Sequence, residues 1–287
     1  MDLTPQARGV LTALAAVLIL MPDTILFRMV QSEIWVLMVW RALFQGIVLW
    51  GWLFVTRRGA LAGDIRALGW LGPAFAAIMG LAAIFFNLAI AWTTVANTLF
   101  IVATTPLWAA LLSRWWLKEP LELRMVLTMA VCGIGIALIA LSKDPGGIAH
   151  WSGNLCALGG ALSMAIGFTL ARRAGSRSMI PALAAATTLP LVFGALMGGA
   201  VLPLPGDMPL LFVIGAIIAP LSFALLTTAA RDIPSSQVSL MLLLETALAP
   251  VLVWWFIGEN PGPNAVIGGI IVVSALLLSN LVALRRA

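Results

Sequence analysis

Apolar runs of roughly twenty residues recur along this chain with almost nothing between them, and that pattern fixes the solvent in which it folds. They fall at 10–29, 34–55, 68–92, 95–115, 124–142, 152–171, 180–200, 208–230, 236–257 and 264–284, with Gly, Pro and charged residues at their borders. Each matches the length of helix that crosses a bilayer. Hydrophobic residues make up 62% of the chain and charged residues 9%, against roughly 25% charged in a soluble domain. Lipid must therefore cover most of this surface. The runs are continuous rather than alternating, which excludes a membrane β-barrel. The sequence predicts an all-α polytopic membrane protein with ten transmembrane helices and no soluble domain. The first run is longer than a signal-peptide core and carries no small-residue cleavage signal, so it is expected to be retained as a helix.

Basic residues orient the spans. Arg8, Arg57, Arg58, Arg66, Arg114, Lys118, Arg124, Arg172, Arg173, Arg177, Arg231, Arg285 and Arg286 fall on the side of the N-terminus. The opposite side holds only Arg28 and Lys143, and Arg41 lies inside a span. Lysine and arginine accumulate on the cytoplasmic side of membrane proteins, so both termini are expected in the cytoplasm. That requires an even number of spans. The net charge of +5 is then a topology signal, and no nucleic-acid partner is expected.

The two halves of the chain resemble each other. TTPLWAALLSRWWLKEP (104–120) aligns with LETALAPVLVWWFIGEN (244–260), so that Trp115 meets Trp255 and Glu119 meets Glu259. Nearer the start of each half, Gly9 and Arg28 meet Gly153 and Arg172. Repeats of five spans, an odd number, must lie in opposite orientations. The sequence divides at 1–143 and 151–287 into two inverted five-helix repeats. Such halves are typical of alternating-access transporters, which bind substrate near the midplane between them.

Ten spans, two such repeats and the element Pro106…Glu119-Pro120 closing the fourth span resemble the drug/metabolite transporter superfamily, in its EamA-type branch. The matching element of the second half is Glu245-Thr-Ala-Leu-Ala-Pro250 followed by Gly258-Glu259. The stretch 242–259 is similar to the bacterial exporters of aromatic amino acids and methionine, the YddG type. Lys118 stands where the family usually has glycine before its first glutamate, and Pro106 aligns with Thr246. The resemblance implies helices around a central cavity in a bacterial inner membrane. It also implies export of small amphipathic metabolites, foremost phenylalanine, tryptophan, tyrosine and methionine. Export of another metabolite or drug class is the alternative.

Ionisable side chains inside spans cost roughly 2.5–3.5 kcal/mol each at mid-bilayer, so Asp23, Arg41 and Glu245 stand out. At 1.5 Å per helical residue, Asp23 and Arg41 each lie about 10 Å below the same membrane face. Two readings are open: an ion pair tying neighbouring helices, or contacts to the carboxylate and amino group of a substrate. Glu245 lies near the middle of its span with no basic residue expected at its depth. A lone carboxyl there either holds a proton or faces a wet cavity. Thr105 is its register-mate, next to Pro106. Pro22, Pro106, Pro220 and Pro250 fall well inside spans, where proline opens a helix. Trp108, Phe100, Met241 and Phe223 are the apolar candidates for a cavity wall. Asn97 and Gln237, also register-mates, are candidates for its rim.

Cys132 and Cys156 lie in apolar runs and His150 in a loop, so neither a disulfide nor a metal site is expected. No phosphate-binding loop is present, no cofactor is expected, and the chain is not an ATP-driven pump by itself. An intramembrane enzyme would need a base, and no span contains histidine. A channel would need rings of polar residues from an oligomer, against which internal duplication argues. The expected partners are an amino-acid substrate and the bilayer, acting on a monomer, with an oligomer left open.

Overall fold

The computed structural model describes residues 5–117, 123–140, 150–233, 238, 241, 242, 245, 249, 252–258 and 262–286, and no strand occurs among them. In a bilayer every backbone N–H and C=O must find a partner within the protein, and uninterrupted apolar helices provide this. The long ones are α3 (Ile34–Arg57), α5 (Leu71–Trp92), α8 (Leu123–Ala140), α9 (Trp151–Arg173) and α14 (Pro263–Arg286). A short amphipathic helix, α4 (Leu61–Leu68), joins α3 to α5.

Four expected spans are broken rather than continuous. The first divides into α1 (Pro5–Leu20) and α2 (Asp23–Met29), and the fourth into α6 (Val95–Val102) and α7 (Thr105–Leu117). The seventh divides into α10 (Ile180–Ala186) and α11 (Thr188–Gly194), which ends in a π-helical turn over Ala195–Gly199. The eighth runs as α12 (Asp207–Phe212), a π-helical turn over Val213–Ile218, and α13 (Ala219–Asp232). Proline explains each break, because it lacks the N–H that would bond the carbonyl four residues earlier. Pro106 deprives the Val102 carbonyl in this way. The Thr105 hydroxyl donates to that oxygen instead, at 2.5 Å. Pro22 does the same to Leu18, Pro190 to Ala186, and Pro220 to Ala216 inside the widened π turn.

Seven stretches of described residues are long and apolar enough to cross a membrane: Arg8–Met29, Ile34–Arg57, Leu71–Trp92, Val95–Trp116, Trp151–Arg173, Ile180–Gly199 and Asp207–Asp232. The chain is a multi-pass membrane protein. Seven of the ten expected spans are thus of crossing length among the described residues. The fifth and tenth expected spans contain shorter apolar helical stretches, Ala130–Ile139 and Pro263–Ala275. The ninth, 236–257, lies partly outside the described residues, and those described at 238, 241, 242, 245, 249 and 252–257 are helical.

Small residues bring the helices together. The α5–α9 and α8–α14 pairs have the closest-knit contacts. A Cβ added to Gly268 on α14 would come within 2.5 Å of the Gly135 carbonyl on α8. Glycine at such crossings is the usual device of lipid-embedded helix packing. One end of the bundle is stitched by Asp207, which accepts from the backbone N–H groups of Gln31 and Ser32 and from the Ser32 hydroxyl. Arg28 donates to the Thr93 carbonyl at 2.7 Å nearby. At the other end Arg8 pairs with Asp232 at 3.2 Å, joining α1 to α13.

Candidate functional site

The broken helices, with α3, α5 and α9, border a cavity of about 80 Å³. Leu20 at the end of α1 and Asp23 of α2 border it, as do Met38, Arg41, Ala42 and Gln45 of α3. From α5 come Met79, Ala82, Ala83, Phe86 and Asn87, from α6 Leu99 and Val102, and from α9 Met164. Leu183 and Ala186 of α10, Thr187 in the break, Pro190 of α11, Phe223 of α13, and Leu242 and Glu245 complete the wall. Each break thus delivers residues to it: Asp23, Val102, the Thr187–Pro190 turn and Phe223. The α3 residues recur at 38, 41, 42 and 45 and the α5 residues at 79, 82, 83, 86 and 87, which puts each set on one helical face.

Three ionisable groups meet here. The Arg41 guanidinium donates from one nitrogen to both oxygens of Asp23, at 2.8 and 3.0 Å. Its other terminal nitrogen points to the Asn87 side-chain oxygen at 3.5 Å. Its plane lies 5.8 Å from the centre of the Phe27 ring. Asp23 is 1% exposed and Arg41 7%, so the two form a buried pair between α2 and α3. Glu245 is 6% exposed and electrostatically coupled to both. The expectation that no basic residue lies at the depth of Glu245 is corrected: Arg41 lines the same cavity. Depth reckoned along one helix does not reveal a neighbour contributed by another.

The remaining candidates sit elsewhere. Thr105 is committed to the Val102 carbonyl, and Pro106 is buried beside it. Trp108 is half-buried and donates from its indole nitrogen to the Thr104 hydroxyl at 3.1 Å, in the break just before its own helix. Asn97 belongs to the corner between α5 and α6, where its amide donates to Thr93, whose hydroxyl reaches Asn154 of α9. The Phe100 ring lies over Gly269 of α14. Met241, like Phe223, packs against the main apolar core. Gln237 and Pro250 lie outside the described residues. Of the described candidates, Phe223, Glu245, Asp23 and Arg41 border the cavity, and Thr105, Pro106, Trp108, Asn97, Phe100 and Met241 do not.

Gln45, Met38, Met79, Phe86 and Met164 escaped the sequence reading. The signal that could have found the α3 and α5 members is spacing: Gln45 lies one turn beyond Arg41, and Met79 and Phe86 share a face with Asn87. Among the described residues no group of His, Cys, Asp and Glu could hold a metal, and both cysteines are free. His150 caps α9, accepting from the Ser152 N–H at 3.3 Å.

The EamA-like transporter family matches the sequence twice, over residues 7–141 and 151–281. The chain belongs to the EamA-like transporter family. This transporter also shares its fold with solved proteins, of which 26 chains match. One crystal structure superposes with a TM-score of 0.64 at 18% sequence identity, covering 96% of this chain and 98% of that one. No curated protein matches the sequence. Each family match contributes to the cavity wall, the first through α1–α3, α5 and α6, the second through α9–α11, α13 and Glu245.

Proposed function

We propose that this EamA-family protein exports small amphipathic metabolites by alternating access, and that apolar amino acids such as phenylalanine, tryptophan, tyrosine and methionine are its substrates. The observation that carries the reading is the cavity between the two matched halves. Its wall is mostly aliphatic, thioether and aromatic, with a few polar groups from Gln45, Asn87, Thr187 and the three ionisable side chains. Small-ligand sites are usually built this way. Sugars would need more hydroxyl partners than this wall offers. A phosphate ester would need several free arginines, and Arg41 is already paired. Similarity of the 242–259 stretch to aromatic amino-acid exporters supports the same class.

The halves are read as inverted repeats and the protein as a resident of a bacterial inner membrane, acting as a monomer. Arginine and lysine placement supports cytoplasmic termini. Single cysteines at Leu202 and Arg58, in a background lacking Cys132 and Cys156, should then react with a membrane-impermeant thiol reagent from opposite faces. Labelling of both from one face would refute the topology.

Uptake into proteoliposomes of a labelled amino-acid panel tests the substrate class. L-phenylalanine, tryptophan and methionine should be carried with saturable kinetics, and sugars and phosphate esters should not. Ala83 borders the cavity without being fully buried. Ala83→Phe should fill part of that space and cut phenylalanine transport about tenfold, a loss of roughly 1.4 kcal/mol in transition-state binding, with melting temperature unchanged. Unchanged transport in that variant would place the substrate path elsewhere.

A further inference from the structure

Charge bookkeeping in the cavity is uneven. Two carboxyls face one guanidinium, and the guanidinium is committed: one nitrogen holds both oxygens of Asp23, and the other points to Asn87. Among the described residues no hydrogen bond or ion pair engages the Glu245 carboxyl, although it is 6% exposed and borders the cavity. The described walls contributed by α1, α5, α6, α9, α10, α11 and α13 present no other titratable group to it. Asp23 on α2 and Arg41 on α3 are the charged groups that face it.

A buried carboxylate without a counter-charge is among the costliest arrangements a membrane interior can hold. The cavity is neutral only when Glu245 carries a proton or when a single positive charge sits beside it. We propose that Glu245 is the receptor for the ammonium group of the substrate and holds a proton when the cavity is empty, so that each turnover exchanges one proton for one ammonium group. The inference rests on the proposed export of apolar amino acids and names the part of them that is recognised. The amine is the element bound, and the carboxylate is dispensable. A substrate carboxylate finds no free cation here, because Arg41 is held by Asp23, so phenylalanine should bind more weakly than the amine with the same apolar body. An amine with the same apolar body keeps the cavity neutral. Exchange of a proton for such an amine moves no net charge, whereas exchange for a zwitterion moves one.

Three probes with one ring system test this on the purified full-length protein: L-phenylalanine, phenethylamine and 3-phenylpropionate. In weakly buffered detergent solution, binding of either amine should release about one proton per protein to a pH indicator dye. Phenylpropionate should release none and should not compete with labelled phenylalanine. Phenethylamine affinity should strengthen as pH rises, by up to about tenfold per unit where one proton is exchanged. Glu245→Gln should release no proton and lose both amines, with its melting temperature as the folding control. Glu245→Asp should restore release with a displaced pH profile and tests the idea independently where the glutamine variant fails to fold. Phenylalanine transport that survives in Glu245→Gln and ignores a pH gradient would overturn the exchange and leave the substrate class standing. Competition by phenylpropionate as strong as that of phenethylamine would also overturn it. Failure of both phenylalanine and phenethylamine to bind would instead bring down the substrate class together with this inference.

Discussion

Asp23→Asn should destabilise the transporter by about 3–5 kcal/mol, the usual consequence of removing one partner from a buried ion pair. The size follows from geometry. Asp23 is 1% exposed, both its oxygens accept from Arg41, and Arg41 itself is only 7% exposed. Asparagine retains one acceptor oxygen but no charge, so the buried cation is left with Asn87, the face of Phe27 and, from the same cavity, Glu245. Only Glu245 can neutralise it, and no hydrogen bond joins that carboxyl to Arg41 among the described residues, so the short contact with Asp23 is not replaced. The double replacement Asp23→Asn, Arg41→Gln removes both charges and should recover part of the loss, giving a favourable coupling energy in a double-mutant cycle. Apparent melting temperatures in detergent, followed by tryptophan fluorescence, read all three variants. A single variant as stable as the parent, with transport alone reduced, would assign the pair to substrate binding rather than to joining α2 and α3.

That pair was legible in the sequence because ionisable residues inside spans are rare, and two of opposite sign fell at one depth. The broken helices were half legible. Pro22, Pro106 and Pro220 announce interruptions, but the length of an apolar run does not reveal how many helices it contains. The count of ten spans rests on run length and on the even number that the basic residues require, and seven stretches reach spanning length among the described residues. Pro190 was passed over, although it produces the Thr187 break that borders the cavity.

The site was less legible, and the reason is angular. Trp108 and Thr105 have the right chemistry for a cavity wall and the right distance along the chain. Their polar atoms nevertheless turn back onto the Thr104 hydroxyl and the Val102 carbonyl of their own segment, the latter left without an N–H partner by Pro106. Asn97 is likewise drawn into the α5–α6 corner by Thr93. Residue type and depth locate a group on the helix axis, while the face it occupies depends on which neighbours pack there. Arg41, Gln45 and Asn87 show the converse: their one-turn spacing on α3 and α5 carried the angular information that individual polar residues lacked.

Gly215 carries the second large effect. It lies in the π-helical turn Val213–Ile218, pressed against the backbone of α3 where Arg41 emerges. A Cβ there would come within 2.8 Å of the Arg41 carbonyl, 2.9 Å of the Phe44 Cβ and 3.1 Å of the Arg41 Cα. Two of these three neighbours are backbone, which yields only if the helices separate. Valine adds two further carbons, so Gly215→Val should cost about 1–3 kcal/mol through overpacking of a close-packed contact. Displacing α3 at this point also shifts Arg41 against Asp23, so the loss should overlap with that of Asp23→Asn rather than add to it. Gly51 on the same helix α3 supplies the control, since nothing lies within 4 Å of an added Cβ there. Gly51→Val should stay within about 0.5 kcal/mol of the parent, as surface substitutions usually do. Equal melting temperatures for the two valine variants would show that α3 and the π turn are not held at the distance on which the Arg41–Asp23 geometry depends.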